Sequence, residues 1–181
     1  MRTKYGQEIS AELAGKAAGI KLFVCDVDGV LSDGLIYMTE RGDEIKTFCA
    51  KDGSGIKAFM KQGGAFAVIT GRTSEIVRKR MSSLGVEMVV QGVTDKTEPF
   101  EKMLADMGIG LDEAAYMGDD SIDIPLMKMA GLSFAPADAH PDAANAADIL
   151  TTLPGGRGCV REAIDFMLLA RGASENGESS T

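Results

Sequence analysis

Short apolar runs alternate with stretches of helical periodicity along most of this chain. Runs at 21–26, 65–70, 86–90, 114–117, 131–135 and 147–150 read as strands. Several are apolar without interruption, as expected of strands buried on both faces of a parallel sheet. Between them Phe100, Met103, Leu104 and Met107 recur at i, i+3, i+4 and i+7, one face of an amphipathic helix. Val160, Ile164, Met167 and Leu168 mark another, and 53–62, 73–84 and 121–129 read as further helices. The βαβα order predicts an α/β fold, a parallel sheet flanked by helices with right-handed crossovers.

One segment breaks the alternation. Residues 34–38 and 44–48 flank Thr39-Glu-Arg-Gly-Asp43, which reads as a β-hairpin with a glycine-containing loop. It follows the first strand directly and is expected to project over that strand's end. Residues 1–8 and the polar tail 172–181 read as flexible, leaving 1–171 as a single domain. No internal repeat is evident.

Composition narrows the function classes. A chain of 181 residues buries roughly 70% of its unfolded surface. The net charge of −8 argues against nucleic acid or an anionic membrane as the main partner. No apolar run approaches the ~20 residues of a membrane span, and no signal peptide is evident. The three cysteines, Cys25, Cys49 and Cys159, are odd in number and widely spaced, which fits a reducing cytoplasm and neither a disulfide framework nor a zinc site. His140 is the only histidine and lies in Ala-His-Pro, a loop context, so His-based triads and multi-His metal sites are set aside.

Candidate chemistry sits at strand ends. The first strand runs into Asp26-Val-Asp-Gly29, two acids that repel each other unless a cation lies between them. Alone, this stretch is equally a strand end followed by a turn. The run ending in Thr70-Gly71-Arg72 adds a hydroxyl, a flexible backbone and a guanidinium, and Thr73 or Ser74 is placed to cap the next helix. Lys96 begins a helix, where an isolated lysine is usually a solvated charge. The run 114–117 ends in Gly118 and the acids Asp119, Asp120 and Asp123, more than a helix N-terminus needs.

The order Asp-X-Asp, Thr, Lys, Gly-Asp-X-X-X-Asp resembles the haloacid dehalogenase superfamily of phosphotransferases. Further stretches make the chain similar to the 3-deoxy-D-manno-octulosonate 8-phosphate phosphatase family over roughly residues 5–170. They are Asp26–Gly34, Asp52-Gly-Ser-Gly-Ile56, Ile69-Thr-Gly-Arg72, Gln91-Gly92, Tyr116–Asp120, Ala135–Pro141, and Gly155-Gly-Arg-Gly158 with Arg161-Glu162. Phe48-Cys-Ala-Lys-Asp-Gly53 departs from the pattern: relatives often carry a polar residue at the Cys49 position and Arg at the Lys51 position. Lysine keeps the charge there but loses the bidentate fork.

The resemblance implies a Rossmann-like fold without a large cap domain, and a Mg²⁺-dependent phosphatase working through an aspartyl-phosphate. Asp26 becomes the nucleophile and Asp28 the proton shuttle. Thr70, Gly71 and Lys96 hold the phosphoryl group. Asp26, the Asp28 carbonyl and Asp119 hold the metal, with Asp123 behind them. Lys51, Asp52, Gly53, Lys57, Arg72 and Arg80 are placed near a sugar-acid phosphate. Relatives are homotetramers in which hairpin and tail help close adjacent sites, so Gly34–Phe48 is expected between subunits of a cytoplasmic enzyme. The Gly155–Gly158 loop is kept as structural or interfacial. The rival substrate is a nine-carbon sugar-acid 9-phosphate. Rivals of another kind are a phospho-receiver signalling domain, which also clusters Asp, Thr and Lys around Mg²⁺, and a non-catalytic metal-binding module.

Overall fold

In a computed structural model describing residues 1–178, the apolar runs line up as one parallel sheet with helices on both faces. The elements are α1 (Ala11–Gly19), β1 (Leu22–Cys25), β2 (Tyr37–Met38), β3 (Glu44–Ile45), α2 (Ala50–Lys61), β4 (Ala65–Thr70), α3 (Glu75–Leu84) and β5 (Met88–Gln91). They continue with α4 (Thr97–Met107), β6 (Ala114–Met117), α5 (Ile124–Met129), β7 (Leu132–Ala135), α6 (Pro141–Ala146), β8 (Ile149–Leu150) and α7 (Cys159–Glu178). The sheet order is β5-β4-β1-β6-β7-β8, with every ladder parallel. From β1 the chain fills one side of the sheet with β4 and β5, then crosses to the other side for β6. The carboxyl end of β1 is therefore the topological switch point, where open α/β sheets bind ligands.

Alternation along β1 explains why the strand is apolar throughout. Phe23 and Cys25 enter one core layer and Leu22 and Val24 the other. On the first side the Phe23 ring meets Phe59, Phe66 and Phe134 edge-on, with centroids 6.4, 5.7 and 5.8 Å away. On the other, Phe100, Met103 and Leu104 of α4 pack on Val24, Ile69 and Tyr116. This double burial fixes the register that brings three strand ends to one edge.

The ends of the chain differ from expectation. Residues 1–8 are tied down rather than loose: Arg2 bridges Glu8, the terminal ammonium donates to the Ile9 carbonyl, and the Tyr5 hydroxyl donates to Asp165. Helix α1 follows, its first turn capped by Ser10 Oγ accepting from the Leu13 amide at 3.2 Å. The boundary expected at 172 falls inside α7, and residues 179–181 lie outside the described residues. Helix α3 begins at Glu75 rather than at the expected 73, so Arg72 lies in the loop before it. Among the described residues no helix is long and apolar enough to cross a membrane.

The hairpin is present with short strands, paired Tyr37 to Ile45 and Met38 to Glu44. Its turn is closed by the Gly42 amide on the Thr39 carbonyl at 2.9 Å, with Gly42 at φ +83°. It is the small insertion expected after β1 in place of a cap domain.

Candidate active site

Three strand ends and one helix start converge at the switch point. Asp26, Asp28, Thr70, Gly71, Arg72, Lys96 and Asp119 line one open cleft of about 390 Å³ together with Gly34, Asp120 and Ile122. Asp26 leaves β1 with its amide bonded to the Met117 carbonyl at 3.0 Å, and its Oδ1 accepts from the Val27 amide at 2.7 Å. Its Oδ2 lies 2.9 Å from Lys96 Nζ.

Lys96 is not the solvated charge that an isolated lysine suggests. It is 3% exposed and spans Asp26 and Asp123, reaching Asp123 Oδ1 at 2.8 Å. Burial works against its ammonium, but the two carboxylates outweigh it and hold its pKa above the ordinary value.

Asp123 is fully buried and saturated. Its Oδ1 accepts from Lys96 and from the Tyr116 hydroxyl at 2.6 Å, and its Oδ2 from the amides of Asp119 and Asp120 at 3.2 and 3.3 Å. It therefore orients the loop that carries Asp119. Tyr116 was not among the expected site residues. Gly118 makes this turn possible, since a Cβ there would lie 2.2 Å from that of Asp123.

The site carries an excess of negative charge. One oxygen each of Asp26, Asp119 and Asp123 lies within 4.8 Å of the others, with Lys96 between two of them. Burial and the neighbouring Asp26 and Asp123 push the Asp119 carboxyl up to about 7. Burial and Asp123 likewise raise Asp26, against the pull of Lys96. An all-oxygen donor set with surplus charge suits a hard divalent cation such as Mg²⁺. Asp123 has both oxygens engaged, so Asp26 and Asp119 are the carboxylates of this group that could hold such an ion. Gly29, at φ +86°, clears the path for Asp119, because a Cβ there would sit 1.9 Å from Asp119 Oδ2.

Asp28 sits at the mouth of the cleft. It accepts a hydrogen bond from Ser32 Oγ at 3.1 Å, pairs with Lys46, and lies 3.7 Å from Arg72. Glu44 joins this group at 2.6 Å from Arg72 Nη2. Sequence reasoning missed both Glu44 and Lys46. No sequence signal marked them: only in the fold is apolar Ile45 54% exposed while its charged neighbours turn inward. Ser74 does not cap α3 with its side chain; its hydroxyl donates to Glu44 and its amide to Gln91. The anion site foreseen at that helix start thus has one amide already engaged.

Lys51, Asp52, Gly53, Lys57 and Arg80 lie outside this cleft in the single chain. Lys51 and Lys57 are exposed on α2. Asp52, Gly53 and Arg80 line a closed recess with Phe48 and Leu84. Asp52 accepts from the Arg161 amide at 2.7 Å, capping α7, and burial pushes its carboxyl up to about 6. The Arg80 guanidinium lies 5.9 Å from the Phe48 ring centroid. The Gly155–Gly158 loop packs within the chain, with the Gly156 amide on the Val30 carbonyl at 2.8 Å.

Comparison with known proteins agrees with the geometry. A family model for haloacid dehalogenase-like hydrolases matches residues 88–154. The 3-deoxy-D-manno-octulosonate 8-phosphate phosphatase of Escherichia coli K12 is 43% identical over 181 residues, covering 100% of this chain and 96% of that protein. The crystal structure of the phosphatase of that name from Yersinia pestis superposes with a TM-score of 0.93 at 42% identity, over 97% of this chain and 94% of the other. That of the Moraxella catarrhalis enzyme, a complex with magnesium, phosphate and KDO, gives 0.88 at 35% identity, over 95% and 99%.

Proposed function

Because this chain belongs to the 3-deoxy-D-manno-octulosonate 8-phosphate phosphatase family of haloacid dehalogenase-like hydrolases, we propose that it hydrolyses that eight-carbon sugar-acid phosphate, a lipopolysaccharide precursor, to the free sugar acid and phosphate. The observation that carries the chemistry is the buried Asp26–Lys96–Asp123 array beside Asp119 at the switch point.

Asp26 Oδ attacks phosphorus in line and expels the sugar oxygen, forming an aspartyl-phosphate. Asp28 donates its proton to that leaving oxygen. It then takes a proton from the water that attacks the aspartyl-phosphate, releasing phosphate and restoring Asp26. Lys96 neutralises charge on the transferring group, while Thr70 and the Gly71 amide hold its oxygens. Asp26, the Asp28 carbonyl and Asp119 would hold Mg²⁺, which when bound would screen the anionic nucleophile from the anionic phosphate. Arg72 is the exposed cation nearest the leaving group and suits the sugar carboxylate.

Lys51 and Lys57, exposed on α2, belong to this reading as substrate-side residues contributed by a neighbouring subunit, whereas Asp52, Gly53 and Arg80 are engaged within their own chain. An assembly is supported by the apolar hairpin, on which Leu35, Ile36 and Met38 are 61, 63 and 66% exposed. A homotetramer in the cytoplasm fits these residues and the unpaired cysteines.

The test is phosphate release from eight- and nine-carbon sugar-acid phosphates with Mg²⁺, for the wild type and Asp26→Asn. Preference for the eight-carbon ester with loss of turnover in the variant is expected. Preference for a nine-carbon ester overturns the substrate, and wild-type turnover by Asp26→Asn overturns the mechanism. Stoichiometric phosphorylation without turnover would restore the receiver-domain reading.

A further inference from the structure

Lys46 has no role in the mechanism above, yet it is the most deeply enclosed cation on the hairpin. Its side chain is 3% exposed, unusual for a lysine one residue past a two-residue hairpin strand. Its Nζ donates to Asp28 Oδ1 and lies 3.6 Å from Glu44 Oε1. Glu44 is held in turn by Arg72 at 2.6 Å and by the Ser74 hydroxyl at 3.3 Å. The hairpin is thus fastened to the ends of β1 and β4 through charged groups, while its apolar residues face outward.

Burying a lysine is costly unless its partners are fixed, so this placement constrains both ends of the contact. Asp28 can turn about its side-chain torsions, and from a loop it would sample several directions. Lys46 Nζ and Ser32 Oγ both donate to its Oδ1, which pins that oxygen and so sets the direction of the other. Arg72 is a poor substitute, because it is half-exposed and 3.7 Å from the other oxygen. Lys46 is also absent from the cleft lining, whereas Arg72 and Lys96 line it. It therefore approaches Asp28 from behind rather than facing a bound ester.

We infer that Lys46 is a positioning residue for proton transfer, aiming the Asp28 carboxyl at the leaving-group oxygen. The inference rests on the role of Asp28 given above. Misaligned general acids lose much of the ~10²–10⁴-fold that acid–base catalysis supplies. The loss falls only on esters whose leaving group needs a proton.

The experiment compares kcat/KM of wild type, Lys46→Met and Asp28→Asn on three esters with Mg²⁺. One is the sugar-acid phosphate, the second an aldose phosphate without a carboxylate, and the third para-nitrophenyl phosphate, whose nitrophenolate departs unprotonated. This parameter covers steps up to departure of the leaving group, so hydrolysis of the aspartyl-phosphate does not enter. Lys46→Met is expected to lose about 30–100-fold on both sugar esters and less than about 5-fold on the nitrophenyl ester. Asp28→Asn should show the same selectivity more strongly.

A loss confined to the sugar acid makes Lys46 a carboxylate contact and overturns the inference. An equal loss on all three esters makes it a general structural support, with the same consequence. If Asp28→Asn shows no dependence on the leaving group, the role of Asp28 fails and the inference fails with it. If only Asp28→Asn shows the dependence, that role stands and the inference alone falls. Should Lys46→Met not fold, Lys46→Gln, which keeps a donor, carries the same comparison.

Discussion

Asp123→Asn is a severe perturbation disguised as a conservative one. The wild-type carboxylate accepts four hydrogen bonds and donates none, two on each oxygen. An asparagine keeps one accepting oxygen and presents an NH₂ group on the other side. Turned toward Lys96, that group would face an ammonium with no acceptor capacity, so the amide oxygen must stay there. The NH₂ then points at the Asp119 and Asp120 amides, and two N–H groups lose their acceptor. Each such loss costs about 1–3 kcal/mol, and because these amides are only partly enclosed the lower half of that range applies. Loss of the negative charge beside Lys96 acts in the same direction. A destabilisation of about 3 kcal/mol results, equivalent to about 6–12 °C in Tm for a domain of this size.

Removing the charge also relieves Asp26 and Asp119, both of which Asp123 pushes upward. The measurement should therefore be made with saturating Mg²⁺, which neutralises those acids independently. Urea unfolding followed by circular dichroism gives the free energy, and phosphate release from the same samples gives the activity. A loss under 1 kcal/mol would refute the hydrogen-bond account of Asp123.

Gly29→Ala should fold but lose Mg²⁺ affinity at least tenfold by titration calorimetry, since its Cβ would displace the Asp119 carboxylate. Mg²⁺ affinity of the wild type should rise as pH increases toward about 7 and level off above it, because ion and proton compete for Asp119; a flat profile across that window would contradict the raised carboxyl. Asp52 prefers its protonated form in the folded chain, so the stability it contributes is present below about pH 4 and lost as pH rises through about 6. Asp52→Asn cannot ionise and should gain about 3 kcal/mol relative to the wild type across that interval in parallel urea titrations. If the proposed homotetramer packs through the hairpin, Met38→Asp should lower the mass seen in sedimentation experiments without unfolding the protomer, and an unchanged mass would remove the hairpin from that interface.

The sheet was legible because strands buried on both faces must be apolar at every position, so β1, β4 and β6 stand out without knowledge of their partners. Their ends were equally legible, since acids or a Thr-Gly pair after such a run have few purely structural explanations. Helix α1 was not, because Ala-Glu-Leu-Ala-Gly-Lys-Ala-Ala-Gly offers little apolar periodicity and buries only Ala17 completely. Its helicity depends on the Ser10 cap and on packing against α7. Glu44 and Lys46 were hidden for a different reason. On a short hairpin, charged residues look like ordinary solvent-facing ones until the chain folds back over Asp28. Lys51, Lys57 and Arg80 rested on resemblance alone, and in one chain they lie on α2 and α3, away from the cleft.

The Gly155–Gly156 turn has a consequence for how the enzyme is born. It presses against the Gly29 and Ser32 carbonyl region so closely that a Cβ at Gly155 would lie 1.9 Å from the Gly29 oxygen. The Cys159 thiol then closes on the Val30 carbonyl at 3.3 Å. The loop after the nucleophile is thus moulded by residues made more than a hundred positions later, and β1 itself waits for β4 and β6 before it has neighbours. A chain in which Gly155–Cys159 have not yet docked carries every acid of the site on a loop that has not taken its shape.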